Sequence, residues 1–187
     1  MKSDGSIDRR PLRFRRDLGQ PVNSPDWPTG FCCRVLLPND VPAIHDLLRL
    51  DDMHGLDLPD QGNWWETLAG DSEFDPDLCF LVVEPRGRIA GIALSWTSAF
   101  LKDLVVHPDF RRQGLGKNLL RQLFRTFRDR GEPHVDLKVE AGNVPAIRLY
   151  ERVGMRQVPL EGLEAQAARC RSRCASARIS KDRSRAS

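Results

Sequence analysis

Apolar positions change their period several times along the chain, and each change marks an element. Arg34–Leu37 reads as a short strand. Pro38, Asn39 and Asp40 supply stop and cap signals, and Ile44, Leu47 and Leu48 then recur at helical spacing within Val41–Leu50. Asn63–Ala69 predicts a second helix that carries Trp64 and Trp65 and ends at Gly70. Leu78–Glu84 and Ile89–Trp96 are dense apolar runs joined by a turn at Pro85–Arg88, which predicts a hairpin; Thr97–Ala99 turns the chain into a further strand, Phe100–Val106. After Pro108 the period becomes helical: Leu115, Leu119, Leu120, Leu123, Phe124 and Phe127 form one stripe, with Lys117, Arg121, Arg125 and Arg128 mostly off it, as far as Gly131. Val135, Leu137 and Val139 alternate with Asp136, Lys138 and Glu140 as a strand, which a short right-handed crossover places beside Phe100–Val106. Asn143 caps a last helix with Pro145 in its first turn and Gly154 past its end, and Arg156–Pro159 leaves room for only a short strand.

A chain of 187 residues holds one domain with a real core. Its net charge of +3 hides a division: residues 1–30 carry six Lys/Arg against four Asp, residues 161–187 seven against three, and the middle sixteen against nineteen. Both ends lack periodic apolar residues, so 1–30 and 161–187 are expected to be disordered basic segments around a folded domain at 31–160. No apolar run reaches the roughly 18 residues that span a bilayer and no secretory leader is visible, so a cytoplasmic protein without membrane contact is expected. Five scattered cysteines and four scattered histidines fit neither a disulfide framework nor a zinc-ligand pattern, so reduced thiols and no metal are expected. Asp51–Asp77 holds nine acids and no Lys or Arg, which reads either as a solvated face or as a field that concentrates a cationic ligand.

The segment with the most chemistry is His107–Lys117, between a strand and a helix. Gly114 and Gly116 let the backbone approach a ligand closely, and the helix starting there leaves its first N–H groups without intrahelical partners, an arrangement that binds anions. Two common phosphate loops do not fit. No Gly-x-x-x-x-Gly-Lys-Ser/Thr occurs, and Leu119 stands where the dinucleotide fingerprint needs its third glycine. Arg111-x-x-Gly114-x-Gly116 instead resembles the pyrophosphate loop of the GNAT superfamily of acyl-CoA-dependent N-acyltransferases. Asn143-x-x-Ala146-x-x-Leu149-Tyr150-x-x-x-Gly154-Met155 is similar to that family's second signature.

The resemblance covers residues 33 to 155. It implies an α+β fold: a central mixed, mostly antiparallel sheet flanked by helices on both faces, in which the fourth and fifth strands (Phe100–Val106 and Val135–Glu140) splay to admit the pantetheine arm of acetyl-CoA. By the same resemblance, the backbone of Leu104, Val105 and Val106 pairs with the cofactor's amides. Arg111, Arg112, Gln113, Gly114, Leu115, Gly116 and Lys117 hold its pyrophosphate, and Asn143 holds the pantetheine end. Beyond Met155 the family adds one or two strands that this chain shortens.

Acetylating an amine requires a neutral nitrogen. An alkylamine with the reference lysine pKa of about 10.4 costs roughly 4 to 5 kcal/mol to deprotonate at pH 7, so a base or water relay is expected. Asp103 and Glu140, each on one of the two splayed strands, are the candidates. The resemblance gives Tyr150 the role of protonating the departing thiolate and a backbone N–H near Val105 that of stabilising the oxyanion. Each residue also has a plainer reading: Tyr150 as a core aromatic, Asp103 as a strand-end polar group, Glu140 as a solvent-facing position. The expected activity is acetyl transfer to a primary amine of a small cationic molecule or peptide. The alternatives are a non-catalytic acyl-CoA-binding regulator and, disfavoured by the acidic middle and the lack of aromatics beside the basic helix face, a nucleic-acid binder. A homodimer is left open.

Overall fold

The computed structural model describes residues 8–50 and 58–161. In chain order the elements are β1 (Pro11–Asp17), β2 (Cys32–Val35), α1 (Val41–Arg49), α2 (Gln61–Ala69), β3 (Phe80–Val83), β4 (Ile89–Trp96), β5 (Phe100–Val106), α3 (Leu115–Asp129), β6 (His134–Glu140), α4 (Val144–Arg152) and β7 (Arg156–Val158). Short 3-10 turns at Pro38–Asp40, Pro76–Leu78 and Pro108–Phe110 precede α1, β3 and the glycine loop. The strands form one sheet in the order β2-β3-β4-β5-β6-β1-β7. Every neighbouring pair is antiparallel except β5 and β6, the arrangement expected from the α3 crossover.

The core lies in two layers, one on each face of the sheet. On one face the α3 stripe of Leu115, Leu119, Leu120, Leu123, Phe124 and Phe127 packs on Ala90, Ala93, Val135, Leu137 and Val139. On the other, Ile44, Leu47 and Leu48 of α1 and Trp64 and Leu68 of α2 pack on Leu81, Ile92, Leu94 and Val105. β4 is buried along nearly its whole length because both faces are covered.

The expectation that residues 1–30 lack order does not hold where they are described. Pro11–Asp17 is an inner strand, antiparallel to β6 along its whole length and to β7 on its other side. Leu12 and Phe14 join the α3-side core, while Arg13 and Arg15 face the other way and bind Asp136. An alternation in which the second face is arginine does not look like a strand until its counter-charge, 123 positions away, is known. This strand supplies the sheet beyond β6 that the short β7 does not. The second basic segment, apart from Glu161, lies outside the described residues.

Asp136 is fully buried, and its carboxylate receives Arg13 Nη2 at 2.5 Å and Arg15 Nε and Nη2 at 2.8 Å. Burial by itself would raise its pKa, but the hydrogen bonds and charges of Arg15 and Arg13 outweigh that and hold the carboxyl below its ordinary value. Arg13 Nη1 also donates to the carbonyl of Glu161 at 2.7 Å, tying the end of the described chain to the same cluster.

Because β1 lies next to one edge of the sheet and β2 forms the other, residues 18–31 must cross the α3 face. This strap is fastened at three points. Ser24 Oγ accepts from Arg125, the backbone of Asp26 exchanges two hydrogen bonds with the buried side-chain amide of Asn118, and Phe31 meets Phe110 edge-on at 5.8 Å.

Candidate functional site

β5 and β6 pair only at Phe100–Asp136 and Leu101–Leu137; beyond that point the two strands are not paired. The β5 backbone from Leu104 onward is therefore an open edge within the sheet. The ladder to β4 decides which groups face it. His107 N–H donates to Ala90 O at 2.9 Å, and antiparallel pairs alternate, so Val105 opposite Ile92 turns its N–H and C=O toward β4. Leu104 and Val106 turn theirs toward the opening. This corrects the expectation for Val105, whose backbone is committed to the ladder. Arg111 Nε donates to Val106 O at 3.2 Å, so this side chain closes the end of the open edge.

The glycine loop follows directly. Arg112 has φ 62° and Gly114 φ 81°, both left-handed, whereas Arg111 between them and β5 is extended. Only glycine adopts this freely, and an arginine held there costs on the order of 1 to 3 kcal/mol, which makes the loop a constrained feature. Alternating handedness turns successive N–H groups toward a common centre, the concavity that binds anions. Gly114 is the N-cap of α3 and offers no capping side chain, so the first turn of the helix is not covered from within. At Gly116 a Cβ would lie 3.2 Å from Leu149 Cδ2 and 3.6 Å from Val106 Cγ2, so the α3 backbone there packs directly against side chains of α4 and β5. The strap locks this start from outside: Asn118 N–H bonds Gly114 O at 3.1 Å while its side chain holds Asp26. Asn118 and Asp26 were missed in the sequence, where an Asn inside an amphipathic helix carries no sign of its distant partner.

On the other face of β5 lies a pocket of about 370 Å³. Its walls are Leu48, Leu58, Pro59, Trp64, Leu68 and Trp96, and its polar groups are Thr67, Asp71, Lys102 and Asp103. A β-bulge creates this polar end. Leu94 pairs with Asp103 and Ser95 with Leu101, leaving Lys102 as the extra residue. Leu101 thus enters the α3-side core while Asp103, two residues on, lines the opposite face together with Lys102. Asp103 is 6% exposed, and Lys102 Nζ lies 2.7 Å from its Oδ2. Trp64 is set by the buried His45, whose Nε2 lies 2.8 Å from Pro59 O and whose ring centroid is 5.7 Å from that of Trp64.

The remaining expected site residues divide. Tyr150 is 7% exposed on α4, with its ring 6.1 Å from that of Phe14 in β1, so the unexpected strand positions it. Asn143 Oδ1 accepts from Ala146 N–H at 3.2 Å and caps α4, which accounts for one of its polar atoms. Glu140 ends β6 opposite Pro11 and does not line the pocket. Arg112, Gln113, Gly114, Leu115, Gly116 and Lys117 form the loop and the first turn of α3 as expected. His107 accepts from Asp109 N–H and serves its turn. Among the acids of the 51–77 run, Asp51, Asp52 and Asp57 lie outside the described residues. Asp60 and Asp75 cap turns or helices, Asp75 also pairs with Arg130, and Asp71 alone lines the pocket. Cys33 and Cys79 are thiols pushed by burial to about 12 and about 11, which keeps them protonated. Among the described residues, no three His, Cys, Asp or Glu side chains converge to hold a metal ion and no helix is long and apolar enough to cross a membrane.

A model of the acetyltransferase (GNAT) family matches residues 41–155. Mycothiol acetyltransferase of Mycobacterium marinum is 32% identical over 86% of this chain, which spans 58% of that protein's length. The ribosomal protein bS18 alanine N-acetyltransferase of Escherichia coli is 32% identical over 52% of this chain and 67% of its own. Among solved structures, a GCN5-related N-acetyltransferase from Sphaerobacter thermophilus superposes with a TM-score of 0.67 at 28% identity, covering 79% of this chain and 48% of that one. The matched span runs from the start of α1 to the residue after Gly154 and contains the bulge, the open edge, the glycine loop and both signatures; this chain belongs to the acetyltransferase (GNAT) family.

Proposed function

We propose that this chain is an N-acetyltransferase that moves an acetyl group from acetyl-CoA directly to a primary amine of a small molecule or peptide. The observation that carries this reading is the continuity of the open edge at Leu104 and Val106 with the uncapped, glycine-lined start of α3, a strip of backbone donors and acceptors ending in an anion cradle. Acetyl-CoA fits it in both parts: amides for the edge and a diphosphate for the cradle. When bound, it supplies an activated acyl group on a good leaving thiol.

The chain's own groups then divide the work. Arg112, Gln113, Gly114, Leu115, Gly116 and Lys117 bind the diphosphate through backbone N–H and positive charge, each favourable charge at a helix start being worth about 0.3 to 1 kcal/mol. Arg111, bonded to Val106 O, follows the end of β5, and Asn143, following the end of β6, takes the pantetheine end. Asp103 holds the acceptor's ammonium at the pocket's polar end and receives its proton, and it takes precedence over Glu140 because it alone lines the pocket. The N–H groups of Leu104 and Val106 face the carbonyl where charge develops. Tyr150, a phenol with a reference pKa near 10, is protonated at neutral pH and donates to the sulfur.

The test is calorimetry with acetyl-CoA followed by free-thiol release with a panel of amines. Saturable binding and amine-dependent thiol release, reduced in the Tyr150→Phe variant, are the expected results. A folded protein that neither binds acetyl-CoA nor releases thiol overturns the reading.

A further inference from the structure

A second, smaller pocket lies on the α3 side of the sheet, where the strap leaves β1. Its volume is about 60 Å³, and its walls include Arg16 of β1, Asn23 of the strap, Arg121 and Phe124 of α3, and Arg152 and Val153 at the end of α4. Three guanidinium groups carried by three separate elements thus border one small space, and like charges gathered in this way favour the entry of an anion. Arg16 is fixed in place. Its Nη2 donates to Pro21 O at 2.6 Å and its Nη1 to Gly154 O at 3.4 Å. Gly154, at φ 83°, leaves the room this needs, since a Cβ there would lie 2.9 Å from Arg16 Nη1. Arg16 Nε is shut off from solvent and has no hydrogen-bond acceptor among the described residues, a costly state for a charged donor and one that an added acceptor relieves.

We infer that this pocket binds one doubly charged tetrahedral oxyanion, a phosphate group in chemical class, at a site separate from the cradle at the start of α3. Each guanidinium offers paired N–H donors that match two oxygens of a phosphate, and donors arriving from three elements suit a tetrahedral group better than a flat carboxylate. The volume is that of one small ion and not of a nucleotide. The pocket also stands apart from the expected cofactor groups. The cradle and Asn143 are at the first turns of α3 and α4, whereas Arg121 is about 7 Å further along α3 than Gly116 and Arg152 is about 13 Å further along α4 than Asn143. Because its walls join β1, the strap and both helices, a bound phosphate fastens the upstream end of the strap whose later part holds Asn118.

The test is calorimetric titration of inorganic phosphate into the full chain in chloride buffer at constant ionic strength, with acetate as the flat, singly charged control. The expected result is saturable binding of phosphate but not of acetate, with Kd raised at least about tenfold in Arg121→Gln and in Arg152→Gln through lost charge-assisted hydrogen bonds. Arg128→Gln removes the same charge from α3 outside the pocket and should leave Kd within about twofold. Thermal unfolding gives a second reading: phosphate at about ten times its Kd should raise Tm by a few degrees in the wild type and in Arg128→Gln. Absence of saturable phosphate binding overturns the inference, as does equal binding of acetate or a Kd that responds alike in all three variants. Repeating the titration with CoA or dephospho-CoA bound distinguishes the sources of phosphate. Binding that persists beside CoA sustains the separate site. Binding abolished by CoA but kept with dephospho-CoA gives the pocket to the cofactor's ribose phosphate, and binding abolished by both gives it to the cradle; either result overturns the inference.

Discussion

Two aspartates are buried on the two strands that part company in this sheet, on the same face, and their surroundings differ. Asp136 on β6 is sealed and held by three nitrogens of two arginines, so every strong demand of its charge is met from within. Asp103 on β5 has a lysine beside it that is 36% exposed at the side chain, and it borders an open pocket. A carboxylate whose partners are rigid and dry is a fastener. One that lines a pocket beside a long, partly solvated lysine can be approached from that pocket. Burial alone therefore does not distinguish the two carboxylates; what differs is whether the counter-charges leave an approach from a pocket.

Removing one charge at a time breaks the contrast most directly. Asp136→Asn should cost about 3 to 5 kcal/mol of unfolding free energy in chemical denaturation, because it strands the guanidinium of Arg13, 4% exposed at the side chain, without its anion. The protein that remains folded should keep its acetyl-CoA affinity. Asp103→Asn should do the reverse: a loss of about 10²- to 10³-fold in kcat/KM for amine acetylation with less than about 1 kcal/mol lost in stability, its lysine partner being free to turn to water. If both variants lose stability and activity in parallel, the two carboxylates do not differ in the way described.

Acid sharpens the comparison. The folded pKa of Asp136 lies below its ordinary value, so the stability it contributes is complete above the unfolded pKa of about 3.9 and is lost as pH falls through the folded value. Wild-type stability should therefore drop steeply below about pH 4, and the slope should be shallower in Asp136→Asn. Asn118→Ala should cost about 1 to 2 kcal/mol through the lost strap contacts and raise the KM for acetyl-CoA several-fold while leaving kcat nearly unchanged, since it loosens the start of α3 without touching the pocket.

How much of this was legible in the sequence follows from how local each signal is. The α3 stripe, the glycine loop and the Asn143 cap are written within single segments, and α3, the loop and α4 lie where those patterns place them. β2 is offset, at Cys32–Val35 instead of Arg34–Leu37, because its pairing with β3 and not its own apolar content sets its ends. β1 was not legible because its polar face is satisfied only by a residue on β6. The bulge at Lys102 was not legible either, since an extra residue in a ladder shows only once the partner strand is in register. Consequently Asp103 could be named as a candidate from its place near the open edge, but its separation from Glu140, and the apolar pocket it ends, came only with three dimensions.

The position of β1 has a consequence for how the molecule is made. On the ribosome, Pro11–Asp17 emerges well before both of its neighbours in the sheet, which belong to residues 134 to 158. Until these are translated, an inner strand with two unsatisfied edges and two unmatched arginines has to wait in solution. Closure of the sheet is thus a late, long-range event of the kind that slows folding and exposes nascent chains to association. Ribosome-bound chains stalled before β6 has emerged should be poorer in native structure than their length suggests, with the strap across α3 unable to fasten at its upstream end.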